Sequence, residues 1–285
     1  MGRELRKHYL LVLSALIAAC AISLLLRLDF SNASLLLQEL RIPRLILGIA
    51  VGAGLSVSGL VLQTVLSNPL AEPYTLGIAS GAALGAAIET SLRWNPLWMG
   101  MSPGAVLGAA LVLAVLLGIA ARGTRGQESI VLLGVMVSLM AASVLAIWMA
   151  LADPLGVQSV TFWLLGDLSR AGMRAALMLL ALVLAVSGCF FALSKRLDAF
   201  LFGEEWVEGF GVSLARTRTL AIALVSLVVG FCVSAAGVIG FVGLVIPHLV
   251  RRWTGVRRHF HLVPLCFLGG AAILTLSDSI ARAAG

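Results

Sequence analysis

The chain has 285 residues, of which 60% are hydrophobic and 12% charged. A soluble domain carries about 25% charged residues, so this composition excludes a water-soluble protein and implies one membrane domain with room for about nine or ten helices. The net charge of +7 does not point to nucleic acid, because the basic residues stand at the ends of apolar runs, where the positive-inside rule places them.

Arg3, Arg6 and Lys7 precede the first expected span, Tyr9–Leu26. Ile17-Ala18-Ala19-Cys20 faintly resembles a lipoprotein cleavage site, but the apolar run continues past Cys20, which favours a span over a cleaved leader. Span two is Leu45–Leu66, rich in small residues from Gly48 to Gly59. The polar interruption Ser67-Asn68-Pro69-Leu70-Ala71-Glu72-Pro73 follows and reads as a fixed, irregular connection. In span three, Leu76–Ile88, small residues recur at Gly77, Gly81 and Gly85, a spacing that lets helix backbones approach closely in lipid. Trp94 and Trp98 suit a membrane interface.

Span four is Ala105–Ala121 and span five Ile130–Leu151. Asp153-Pro154 ends span five, and Val157–Leu168 reads as a short helix lying on the membrane. Span six is Ala175–Leu193. The polar stretch Lys195–Ser213 holds Asp198, Glu204, Glu205 and Glu208, with Trp206 and Phe210 spaced for one helix face. Spans seven, eight and nine are Leu220–Ala236, Gly240–Val250 and Val263–Ile280, the eighth too short to cross unless its flanks continue it.

With a cytoplasmic N-terminus, 13 basic residues fall inside and 7 outside, which supports that orientation. It places Asn68–Pro73 and Lys195–Ser213 on the cytoplasmic side and Arg41 and Arg44 outside. Sliding the chain by 178 residues brings Val51, Gly52, Ser56, Gly59, Leu66 and Pro69 onto Val229, Gly230, Ser234, Gly237, Leu244 and Pro247. The two copies run in opposite directions, an inverted repeat of the transporter kind. The halves are about 44–151 and 222–285, and the second is expected to be incomplete.

No P-loop surrounds Lys7 or Lys195, the two lysines. Cys20, Cys189, Cys232 and Cys266 all lie in apolar runs with no metal-ligand spacing. No resident metal or nucleophile–base pair is expected, which argues against a membrane enzyme.

Seven segments together resemble the FecCD/BtuC-like family, the membrane subunits of ABC importers for iron–siderophore, haem and cobalamin. They are R-I-P-R at 41–44, S-G-L-V-L-Q at 58–63, N-P-L-A-E-P at 68–73, L-G-I-A-S-G-A-A-L-G at 76–85, F-W-L-L-G-D-L-S at 162–169, G-E-E at 203–205 with G-V at 211–212, and G-F-V-G-L-V-I-P-H at 240–248. The resemblance implies an all-α BtuC-like permease fold with about nine of the family's ten spans. It also implies a homodimer with a second permease copy in the bilayer of the bacterial or archaeal cytoplasmic membrane. Two ATP-binding subunits would carry ATP and Mg, and an extracytoplasmic solute-binding protein would deliver the chelate. This chain itself would bind no cofactor.

Residue by residue, the resemblance implies that Arg41, Arg44 and Arg282 dock glutamates of the binding protein. Asn68 and Leu70, with Gln127, Glu128 and Ser129, would form a cytoplasmic gate. Gly203, Glu204, Glu205, Trp206, Phe210 and Gly211 would fit a cleft in the ATPase, with Glu208 standing where relatives often have a basic residue. Ser138, Ala141, Ala142 and Ser143 of span five would line the pore. His248 is expected to be structural, having no paired acid or second histidine nearby in sequence. The alternative is an ion-coupled secondary transporter. That function needs ionisable residues near the bilayer midplane, whereas Glu89 and Asp278, the nearest candidates, stand toward span ends.

Overall fold

The computed structural model describes residues 2–26, 37–92, 101–120, 127–169 and 172–284. The expectations for Trp94 and Trp98 fall outside these residues, as do the side chains of Gln127, Glu128, Ser129, Glu204, Glu205 and Glu208. The regular structure of the described residues is helical. Helix α1 is Gly2–Leu25; a π-helical turn, Leu37–Arg41, leads into α2, Ile42–Val65; and a 3-10 turn, Pro73–Leu76, leads into α3, Ile78–Ser91. Helices α4, α5 and α6 are Pro103–Ala120, Gln127–Leu151 and Pro154–Leu164. Helix α7 is Met173–Ala192 and α8 Ser194–Ala199, followed by a 3-10 turn Phe200–Phe202, α9 Glu204–Val207 and a second 3-10 turn Glu208–Phe210. Helices α10, α11 and α12 are Leu214–Ala236, Val242–Thr254 and His259–Ala284.

Helix α2 is the centre. It is apolar all round, so it must be surrounded, and it is: α7, α10, α11 and α12 pack against it. Pro43 opens its first turn without losing a hydrogen bond. Its glycines set the distances to its neighbours. A Cβ on Gly52 would collide with the Gly270 carbonyl of α12, and one on Gly59 with the Gly243 carbonyl of α11. Gly81 and Gly85 of α3 meet Gly108 and Gly104 of α4 in the same way, as the four-residue spacing predicts.

Each of the nine expected spans falls on a helix. Among the described residues six helices are long and apolar enough to cross a membrane. Helices α3 and α11, with 14 and 13 residues, are among the shorter ones. The flanks of α11 do not extend it: Gly237–Gly240 are non-helical, and Phe241 caps the helix with φ 67°. Non-helical backbone at such a place is held by protein; Tyr74 hydroxyl donates to Ile239 O at 2.6 Å and accepts from Ile239 N at 2.9 Å. Under the 178-residue shift Val51, Gly52 and Ser56 of α2 and Val229, Gly230 and Ser234 of α10 are all helical, whereas Gly59 lies inside α2 and Gly237 ends α10 with φ 71°. Helix α6 is a separate short helix, as expected, and Asp153 caps it by accepting from Gly156 N at 3.0 Å.

Exposure divides the bundle. Of the apolar window of α2, 83% is buried, against 11% for α5. Helix α5 presents Leu132, Met136, Leu139 and Ile147 outward.

Candidate docking, gate and coupling sites

Helices α2 and α12 run antiparallel, and each end of the pair carries a polar cluster. At the start of α2, Arg44 faces Asp278 of α12. Arg44 Nε lies 3.0 Å from both carboxylate oxygens and Nη2 lies 2.7 Å from Oδ1. Arg282, one turn beyond Asp278, reaches Oδ2 at 3.2 Å and donates to Ser23 Oγ of α1 at 2.7 Å. Arg41 donates to Leu24 O at 2.5 Å. The three arginines predicted to act together are therefore brought to one end of the bundle. Asp278 sits at that end too and is only 10% exposed. Its role escaped the sequence reading, although its four-residue spacing from Arg282 was a signal. Asp278 is shared by two guanidiniums, Arg44 and Arg282, and guanidiniums in fork geometry are suited to binding carboxylates.

At the other end of α2 the chain turns sharply. Ser67 has φ 42°. Asn68 Oδ1 accepts from Leu70 N at 2.9 Å, and Asn68 O accepts from Ala71 N at 3.1 Å. This side-chain turn explains why an asparagine stands there. Leu70 is left 69% exposed while Ala71 is buried. The following 3-10 turn lies against α5, where Gly77 approaches Gly134 O and Ser138. Gln127, Glu128 and Ser129 form the first turn of that same helix.

The expected pore residues divide. Ala142 and Ser143 lie on the exposed side of α5, whereas Ser138 faces Gly77 and Ala141 lines an apolar cavity of about 520 Å³ between α3, α4 and α5. Ser138 and Ser143 donate to Gly134 O and Leu139 O at 2.9 and 2.8 Å, so their hydroxyls serve their own helix. Glu89 is also at this cavity. It accepts from Ser102 Oγ at 2.6 Å and Gly104 N at 2.7 Å.

The Lys195–Ser213 stretch forms two short helices and two 3-10 turns. Gly203 and Gly211 make its reversals at φ 97° and 72°, where a side chain would be strained. Leu197, Phe200 and Val207 anchor it in the core. Trp206 and Phe210 are exposed at 66% and 58%. They do not share one helical face as their spacing implied. The helix tightens to a 3-10 turn at Glu208, and the Phe210 ring packs on Phe202 at 5.4 Å instead.

Where this stretch meets α2 lies a polar cluster that the sequence reading missed. His259, 1% exposed, stands between Asp198 and Thr64. Its Nδ1 lies 2.7 Å from Asp198 Oδ1 and its Nε2 lies 2.7 Å from Thr64 Oγ1. Its backbone N donates to the same Asp198 oxygen at 2.8 Å. Burial by itself would raise the Asp198 carboxyl; the hydrogen bonds from His259, with the nearby Arg258 charge, outweigh that and hold it below its usual range. Beside it, Gln63 donates to Gly243 O at 3.2 Å and accepts from Arg251. His248 is exposed and shares a cavity of about 400 Å³ with His259 and Arg251.

Comparison with known proteins agrees with this architecture. The chain matches the FecCD transport family over residues 8–285. It is 33% identical over 251 residues to the Fe(3+) dicitrate transport system permease protein FecC of Escherichia coli, covering 87% of this chain and 75% of that one. It is 35% identical over 251 residues to the vitamin B12 import system permease protein BtuC of Vibrio cholerae, with the same coverages. A solved structure of a metal-chelate type ABC transporter in an inward-facing conformation superimposes with a TM-score of 0.87 at 28% identity, over 99% of this chain and 91% of that one. By sequence and by fold, the chain belongs to the FecCD transport family.

Proposed function

We propose that the chain is the transmembrane permease subunit of an ATP-binding-cassette importer that brings a metal chelate into the cytoplasm, with iron–siderophore as the first candidate, then haem and cobalamin. The observation that carries this reading is the polarity of the α2–α12 pair. An arginine cluster caps one end, and a segment of short helices with exposed aromatics caps the other, about 35 Å away at 1.5 Å per residue. A permease needs both: a surface for a delivering protein outside and one for an ATPase inside. The N-terminus is then cytoplasmic, Arg41, Arg44 and Arg282 dock the solute-binding protein, and Gly203 to Gly211 engage the ATP-binding subunit. ATP and Mg belong to that subunit. The exposed apolar face of α5 packs against a second copy of the permease, and Asn68 and Leu70 face its gate.

Glu89 and Asp278 favour this reading over ion coupling. Both are fixed by hydrogen bonds to neighbouring groups, whereas a coupling carboxylate must exchange its ion. The test is gentle purification from the native membrane with mass spectrometry of the associated chains, followed by reconstitution. An ATP-binding subunit and a solute-binding protein in the eluate, with chelate uptake that needs ATP, are expected. Uptake that collapses with the membrane gradient at constant ATP would overturn the reading.

A further inference from the structure

The Asp198–His259–Thr64 cluster joins three elements at one buried ring. Asp198 is in α8, within the stretch proposed to meet the ATPase. Thr64 is in the last turn of α2, three residues before Ser67, where the gate turn begins. His259 is the first residue of α12. We propose that His259 is a positioning residue that ties the Lys195–Ser213 stretch to the end of α2, so that a shift of that stretch is passed to the Ser67–Ala71 turn. The transport meaning of this tie rests on the permease reading; the tie itself does not.

Proton counting supports the assignment. The Asp198 oxygen within 2.7 Å of Nδ1 is a carboxylate acceptor, so Nδ1 carries a proton. Thr64 Oγ1 lies 3.0 Å from Leu60 O and 2.7 Å from Nε2, and its hydroxyl has one hydrogen. If that hydrogen goes to Leu60 O, Nε2 must donate and the ring is an imidazolium. If it goes to Nε2, the ring is neutral and Leu60 O loses its side-chain donor. In both arrangements the ring holds Asp198 and Thr64 together. Among the described residues the other titratable groups around it are cationic or basic: Arg258 acts on Asp198, and His248, Arg251 and Arg257 line the adjoining cavity. Among the described residues no carboxylate lines that cavity, and Asp198 is the acid hydrogen-bonded to this ring.

The tie predicts reciprocal effects between elements that are not neighbours in sequence. Hydrogen exchange on the full chain reads them. Asp198→Ala is expected to speed exchange about tenfold at the amides of Ser67, Asn68 and Ala71, the scale of one lost buried hydrogen bond. Those amides bond to Thr64 O, Gln63 O and Asn68 O, not to α8. Thr64→Val is expected to do the same at Leu197 and Gly203, and Thr64→Ser to restore protection. In the reconstituted complex, Thr64→Val raises the ATP hydrolysed per chelate transported, and adding Asp198→Ala raises it little further. Exchange effects confined to each variant's own element overturn the proposal, whatever transport does. Reciprocal exchange in a chain that neither binds nor stimulates an ATPase leaves the tie standing and removes the permease reading instead.

Discussion

Arg44 and Asp278, 234 residues apart in sequence, meet as a fork: both carboxylate oxygens accept from one guanidinium. Arg282 closes the other side of the same carboxylate. Asp278 thus neutralises part of a cluster that would otherwise hold three like charges together. Asp278→Asn is expected to destabilise the folded chain by about 2–4 kcal/mol, the cost of unpairing largely buried charges reduced for their partial exposure. A fall in thermal midpoint measured in detergent checks it; an unchanged midpoint would show that the fork contributes nothing net.

The same geometry separates docking from folding. Arg41 bonds to the Leu24 carbonyl and stands outside the fork. Arg41→Glu should therefore abolish stimulation of the ATPase by the binding protein while leaving basal hydrolysis unchanged and lowering the thermal midpoint less than Arg44→Glu does. Arg44→Glu, which also breaks the fork, should lower all but basal hydrolysis. Equal stimulation of wild type and Arg41→Glu would remove Arg41 from the docking surface.

Close helix approach gives a prediction about packing. A methyl group on Gly59 would overlap the Gly243 carbonyl, a backbone atom that cannot swing aside. Gly59→Ala is expected to cost about 1–3 kcal/mol, as overpacking does. Gly118→Ala in α4, where nothing lies within 4 Å, should be neutral or slightly stabilising. A Gly59→Ala chain as stable as wild type would mean that α2 and α11 can separate without loss.

Much of this was legible in the sequence because the signals are local. Nine apolar runs gave nine helices, and the Gly81–Gly85 spacing gave the α3–α4 contact. The turn at Asn68 followed from its own side-chain chemistry. What was not legible depends on distant partners. His248 drew notice because it follows Pro247, yet it lies exposed, while His259, 61 residues from Asp198, carries the buried hydrogen bonds. The outward face of Trp206 and Phe210 failed as a helical inference because Glu208–Phe210 tightens into a 3-10 turn. Spacing of four residues implies one face only where the helix continues.

Two carboxyls on the same side of the bundle respond to pH with opposite signs. Burial raises Glu72 above its ordinary value of 4.5, and the Phe241 backbone N–H offsets this only in part. Its contribution to stability is present below that ordinary value and is lost as pH rises through the higher folded value. Asp198 lies below its ordinary value of 3.8. Its contribution is present above that value and is lost as pH falls through the lower folded one. Thermal midpoints from pH 3 to 7 should therefore lose their upward-pH decline in Glu72→Gln and their acid-side decline in Asp198→Ala. A Glu72→Gln profile superimposable on wild type would show that this carboxyl is solvated.

The exposed aromatics of the Lys195–Ser213 stretch give the most direct test of coupling. Trp206 and Phe210 are more than half exposed, so removing either should leave folding intact. Buried on a partner, large aromatics dominate binding, at about 2 kcal/mol or more each. Trp206→Ala should thus weaken binding to the ATP-binding subunit about thirtyfold, with an unchanged thermal midpoint. Phe210→Ala should weaken it further, because it also strips the packing that orients Phe202. Affinity measured by titrating the purified ATPase onto nanodisc-embedded permease decides it. Full affinity in the Trp206→Ala, Phe210→Ala double variant would move the ATPase contact off this stretch, leaving the buried tie at His259 with nothing to transmit.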